Sequence, residues 1–166
     1  MLKAFETADG SERWGHTFGG DEGRVQSDAA VAGGRAYVHV GRSLYAFDVA
    51  SGEEVWAREI GRSSSAPAVR DGVVYASVDG GVHAFDAADG SDRWHTPIAE
   101  GRRIVVGDGA VYGVHYDAPT VALAIDDGRE LWQASRGEAA STPAVADDYL
   151  FFGTTRGAVR ALGPRS

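Results

Sequence analysis

Five histidines, His16, His39, His83, His95 and His115, are the side chains of this 166-residue chain best suited to acid–base or metal chemistry near neutral pH. They fall in different segments at spacings that fit no metal-ligand pattern, so rim or solvent-facing positions are expected and no metal site is assigned. Asp-Gly pairs at 9–10, 71–72, 79–80, 89–90, 108–109 and 127–128 have the residue types of calcium loops. Their spacing matches no EF-hand, and hairpin turns need the same residues because Gly reaches positive φ. Gly107-Asp108-Gly109 is followed by neither a third glycine nor a helical pattern, so it is no dinucleotide fingerprint. Ser63-Ser64-Ser65 has no Gly-x-Ser-x-Gly elbow and reads as a polar turn before a strand. Arg102-Arg103 could reach an acidic partner or an internal carboxylate, and the salt-bridge reading is preferred. No catalytic residue is assigned.

Placing these residues requires the elements that carry them, and those repeat. Ala4, Gly10 and Trp14 recur as Ala46, Gly52 and Trp56, as Ala84, Gly90 and Trp94, and as Ala122, Gly128 and Trp132. Each time Gly lies six residues after Ala and Trp four after Gly, and these are all four tryptophans of the chain. A fifth copy opens at Ala161-Leu162-Gly163. The repeats are approximately 1–23, 24–61, 62–100 and 101–137, with a partial one at 138–166, in a single domain.

Within a period, short apolar runs alternate with Gly/Asp turns and no helical periodicity appears. In the third copy, Ser65 to Arg70 is the first expected strand, Val73 to Val78 the second and buried on both faces, Val82 to Asp86 the third, and Asp92 to Ile98 the outer strand bearing Trp94. The chain then passes to the next period through Glu100-Gly101. Four strands per period give an all-β propeller of four-stranded blades, about four to the chain: half of an eight-bladed ring, or an open or closed four-blade unit. The indole is expected to fill the wedge between neighbouring blades, with small Ala and Gly making room and a backbone carbonyl accepting its N–H.

Composition narrows the function classes. The net charge is −8, with 24 acidic against 16 basic residues, and Lys3 is the only lysine. An acidic surface opposes sequence-independent nucleic-acid binding, whose affinity comes from neutralising phosphates. Abundant carboxylates with almost no lysine suit a protein adapted to high salt, although a GC-rich coding bias towards Arg, Ala, Gly and Asp gives a similar profile. Cysteine is absent, which removes disulfides and thiol nucleophiles. No run of about eighteen apolar residues and no charged-then-apolar leader is seen, so neither a membrane span nor a secretion signal is expected. A cytoplasmic protein and a processed extracytoplasmic one both fit.

The Ala-x5-Gly-x3-Trp pattern, with an acidic residue after the aromatic, resembles the tryptophan-docking motif of the quinoprotein (PQQ) repeat, and the resemblance covers the whole chain. It departs at Ala124, where the other copies have Glu6, Asp48 and Asp86, and at Ile104, which replaces the usual Pro. The resemblance implies a propeller, commonly of eight blades. In the dehydrogenases of that family it implies pyrroloquinoline quinone with Ca²⁺, a carboxylate base, and often a disulfide of adjacent cysteines. This sequence has neither cysteine nor asparagine, and all its tryptophans are accounted for by the motif. It therefore looks more like the cofactor-free relatives, among them an outer-membrane assembly lipoprotein. The expected function is a non-catalytic binding or scaffolding module for a protein partner, without cofactor; the alternative is part of a PQQ-dependent dehydrogenase whose remaining blades lie on another chain. Leu2 to Phe5 and Val159 to Leu162 occupy the same third-strand position, so a homodimer completing its blades mutually is expected, against a closed four-blade monomer or a fragment of a longer propeller.

Overall fold

The computed structural model describes residues 1–19, 25, 27–63, 65–98, 102–107, 109–136, 139, 141–146 and 149–163. Ser64, Glu100, Gly101, Asp108, Asp147 and Asp148, which figure in the turns and linkers expected from sequence, lie outside these residues. Seventeen strands are present among the described residues, and every pairing between them is antiparallel.

The first sheet is a hairpin of β1 (Leu2–Phe5) and β2 (Glu12–His16). Three complete four-stranded sheets follow. They are β3 (Ala30–Ala32), β4 (Arg35–Val40), β5 (Ser43–Asp48) and β6 (Glu54–Glu59), then β7 (Ala68–Arg70), β8 (Val73–Val78), β9 (Gly81–Asp86) and β10 (Asp92–Pro97), then β11 (Arg103–Val106), β12 (Ala110–Val114), β13 (Pro119–Ala124) and β14 (Glu130–Arg136). A three-stranded sheet of β15 (Ala144–Ala146), β16 (Tyr149–Gly153) and β17 (Val159–Leu162) closes the series. Each sheet is an up-and-down meander of sequential strands, the blade architecture expected from the repeat. The first and last sheets are separate, so the blades form an open arc.

The inner strands are shorter than the sequence suggests: β7 begins at Ala68, not Ser65, because the Ser63 and Ser65 backbones serve a polar crossing between sheets. There Ser63 Oγ donates to the Ser77 carbonyl and accepts the Ser65 amide. Strand β8 has all six residues buried, as a strand covered on both faces must. The hairpins between first and second strands use tight turns with positive φ at both central residues, Gly33-Gly34 (58° and 75°) and Asp71-Gly72 (47° and 75°). That geometry matches the right-handed twist of the strands it joins.

The core lies between sheets. Tyr37, Leu44, Ala46 and Trp56 of the second sheet pack on Val74, Ala76, Phe85 and Ala87 of the third. Tyr75, Val82 and Ala84 of the third meet Ile104, Val111 and Leu123 of the fourth. Every blade thus has a leading face, turned to the next blade, and a trailing face, turned to the one before.

Candidate functional site: the faces and cleft between blades

Register puts one row of equivalent residues on each leading face. Ala30, Tyr37, Ala46 and Trp56 are successive cross-strand partners, as are Ala68, Tyr75, Ala84 and Trp94, and Val105, Tyr112, Ala122 and Trp132. Ala4 pairs with Trp14 in the first sheet, and Ala144, Phe151 and Ala161 form the row of the last. The ring pairs Tyr37–Trp56, Tyr75–Trp94 and Tyr112–Trp132 repeat almost without change, with centroids 5.9, 5.8 and 5.9 Å apart at 42°, 47° and 45°.

Each interior indole lies on the next sheet. A Cβ on Gly52 would come within 2.6 Å of the Trp14 ring, one on Gly90 within 2.7 Å of Trp56, and one on Gly128 would overlap Trp94. These glycines end the turn between third and fourth strands at φ of 75°, 69° and 72°, a region that L side chains seldom adopt. Both the space and the backbone therefore require Gly there. Trp14 Nε1 donates to the Val49 carbonyl at 2.8 Å, Trp56 to Ala87 at 3.1 Å and Trp94 to Ile125 at 3.0 Å, three residues past Ala46, Ala84 and Ala122. Arg58 and Thr96, two residues past their tryptophans, donate to the Gly90 and Gly128 carbonyls. Each contact is fixed by direction as well as by area.

Gly10 and Trp132 differ from their counterparts. Gly10 has the same φ, 74°, yet nothing lies within 4 Å of a Cβ built on it. Trp132 is 39% exposed, against 6% for Trp56. Phe5 is 56% exposed, whereas Phe47 and Phe85, at the same point of their sheets, are buried. Phe151, the counterpart of the buried Tyr37 and Tyr75, is 38% exposed. The arc therefore ends in an uncovered trailing face on the first sheet and an uncovered leading face on the last.

Between the second and third sheets a cleft of about 620 Å³ opens beside the first hairpin turns, lined by Arg35, Tyr37, Asp71, Asp86, Ala87 and Arg93 among others. The Ala87 carbonyl at its floor accepts three donors: Trp56 Nε1, Arg35 Nη1 at 2.7 Å and Tyr37 Oη at 3.3 Å. Arg93 pairs with Asp86 at 2.7 Å, and Arg70 with Asp71 at 3.2 Å. The Arg93 guanidinium and the Ala88 amide hold the Asp86 carboxyl below its usual range. Burial pushes the Tyr37 phenol upward, with Arg35 acting against it.

Of the five histidines, His39 departs from the rim or solvent-facing place expected. His39, on the second strand of its sheet, is 1% exposed, because the register that turns Tyr37 towards the next blade turns His39 there too. Neither of its ring nitrogens has a hydrogen-bond partner among the described residues. Burial holds its pKa below the ordinary value, and the nearby Gly61 backbone acts in the opposite direction. His83 and His95 are cross-strand partners whose rings stack at 4.1 Å and 18°. This pair follows from the Ala84–Trp94 register, which the spacing of the two histidines along the sequence does not reveal. Desolvation first, then the His95 charge, lowers the His83 pKa from 6.5 to about 4. His16 packs on Phe18 and Phe47, and His115 Nδ1 accepts the Asp117 amide. Arg102 is buried, with Nη1 donating to the Pro119 carbonyl, while Arg103 is exposed on β11. Ala124 leaves its turn intact: the Gly128 amide reaches the Ala124 carbonyl, and Asp127 accepts the Arg129 amide.

Among the described residues no three His, Asp or Glu side chains come together, and the sequence has no asparagine or cysteine. Every tryptophan sits on an outer strand, β2, β6, β10 or β14. Among the described residues no helix is long and apolar enough to cross a membrane.

The family model PQQ_2, described as outer membrane protein assembly factor BamB, matches residues 1–166. Among solved structures, BamB from Moraxella catarrhalis is similar at 21% identity and TM-score 0.78, over 96% of this chain and 51% of that one. Two computationally designed proteins are similar as well. Ika8 matches at 16% identity and TM-score 0.82 over 98% of this chain and 52% of its own. Ika4 matches at 15% identity and 0.76 over 89% and 95%. A europium-containing methanol dehydrogenase is 18% identical, with a TM-score of 0.60 over 76% of this chain and 28% of its own. The chain thus spans about half the length of BamB and Ika8. No curated protein sequence matches it.

Proposed function

The chain belongs to the PQQ_2 family of BamB-like repeat propellers, and from that premise we propose that it is a non-catalytic scaffold that binds a segment of a protein partner. The observation that carries this reading is the cleft between the second and third sheets. Its floor is apolar and hydrogen-bonded, through Tyr37 and Ala87, and its rim alternates Arg35, Arg93, Asp71 and Asp86. An extended peptide of mixed charge complements such a rim, and charge complementarity selects a partner more than it tightens one. The reading includes a second copy of the chain as a partner, in a homodimer.

A photo-crosslinking phenylalanine at Ala88, on the cleft rim, tests it against the same probe at Thr155, both exposed positions. In extract of the source cells the Ala88 probe is expected to give a discrete protein adduct that Thr155 does not. Adducts common to both probes, or none, would refute the reading. The alternative, a portion of a PQQ dehydrogenase, requires that PQQ with Ca²⁺ shift the melting temperature and bring cofactor absorbance with the protein; neither is expected.

A further inference from the structure

We propose that His83 and His95 form a two-imidazole site for a divalent transition ion of the zinc, copper and nickel class, on the β9–β10 hairpin and apart from the cleft. The two lie twelve residues apart in the sequence, a separation that fits no ligand motif, yet antiparallel register makes them direct partners. Partners across such a ladder have Cβ atoms about 4.5–5.5 Å apart. From that spacing two imidazoles can each bring a nitrogen to one ion, at about 2.0–2.1 Å. The rings already lie side by side, with centroids 4.1 Å apart.

Nothing common to the blades calls for imidazole at these positions. The equivalent pairs are Lys3–Gly15 in the first sheet, Tyr45–Ala57 in the second and Val121–Gln133 in the fourth, so the repeat packs with quite different side chains there. What sets the third sheet apart is a matched pair of metal-ligating groups. Their surroundings suit a cation as well. His83 is half-buried and steadied by the parallel ring of Phe85, at 5.8 Å and 2°, while His95 is exposed. One ligand is thus fixed, and the other can turn from the stack to meet an ion arriving from solvent. A Cβ on Gly81 would come within 2.8 Å of His95 Nε2, so glycine there leaves the imidazole its room. Asp92, the cross-strand partner of Phe85, supplies negative charge that acts on His83. Imidazole selects ions of this class over Mg²⁺ and Ca²⁺, which prefer oxygen ligands. The remaining coordination positions are open to water. An ion held in this way ties β9 to β10, the strand bearing Trp94, and an ion that binds the folded chain alone raises its melting temperature.

Titration calorimetry of the untagged, metal-free 166-residue chain with Zn²⁺ provides the test, with imidazole nitrogen shifts followed by NMR. One ion per chain is expected, with the largest shifts at His83 and His95 and a melting temperature that climbs with Zn²⁺ but not with Mg²⁺. His95→Gln, a change at an exposed position, is expected to weaken Zn²⁺ binding roughly tenfold or more, and His83→Gln to do the same. His115→Gln, which removes the imidazole beside Asp117, leaves the affinity unchanged. Circular dichroism of each variant separates a lost site from a lost fold. The proposal is overturned by the absence of saturable binding at millimolar Zn²⁺, and equally by binding that His95→Gln leaves intact.

Discussion

Single residues contribute unequally according to whether a neighbouring blade covers them. Trp56 is buried, meets Gly90 and donates to Ala87, so Trp56→Ala should destabilise the chain by roughly 3–5 kcal/mol, measured by urea denaturation. The same change at Trp132 should cost less, because 39% of its surface stays exposed against 6% for Trp56. Equal losses at the two positions would show that burial between blades does not set the cost. His39 gives the opposite sign. Among the described residues its buried ring nitrogens have no hydrogen-bond partner, so His39→Leu should leave stability unchanged or raise it, read as a melting temperature no lower than that of the parent. The four copies made the tryptophan positions legible from sequence. The burial of His39 was not, since it depends on which blade face the residue takes, and periodicity in one strand leaves both faces of a doubly covered sheet equivalent.

At the level of elements, the third and fourth strands of each blade form a hairpin with a carboxylate-capped turn, and β9–β10 adds a stacked imidazole pair. Because the folded pKa of His83, about 4, lies below its unfolded value of 6.5, the unfolded chain binds the extra proton first. Stability contributed by the neutral ring is complete above the unfolded value and is lost as pH falls from 6.5 towards 4. With His83 partly exposed, solvent screening limits this loss to the order of 1 kcal/mol. His83→Phe should flatten the stability profile across that window, followed by thermal melts at stepped pH. A profile with the parent's slope would place the proton uptake elsewhere. The turns and strand order could be read from Asp, Gly and the alternating apolar runs. The short first strands could not, because β7 shares its sequence signature with the polar crossing that precedes it, and only the hydrogen bonds of Ser63 and Ser77 decide where pairing starts.

At the level of the whole molecule, 24 acidic residues against 16 basic ones lie on a chain whose compact form crowds them together. Salt screens that repulsion and strengthens apolar burial, so the melting temperature should climb between about 0.1 and about 2 M KCl. A flat or falling curve would favour coding bias as the origin of the composition. The number of repeats was plain in the sequence, whereas the openness of the arc was not, since identical motifs occur in a closed ring and in a half. Among the described residues the core clusters join adjacent blades, and that has a kinetic corollary. Opening begins where one side is bare, so backbone amides of β16 and β17 should exchange with deuterium soonest and those of β8, enclosed on both faces, last.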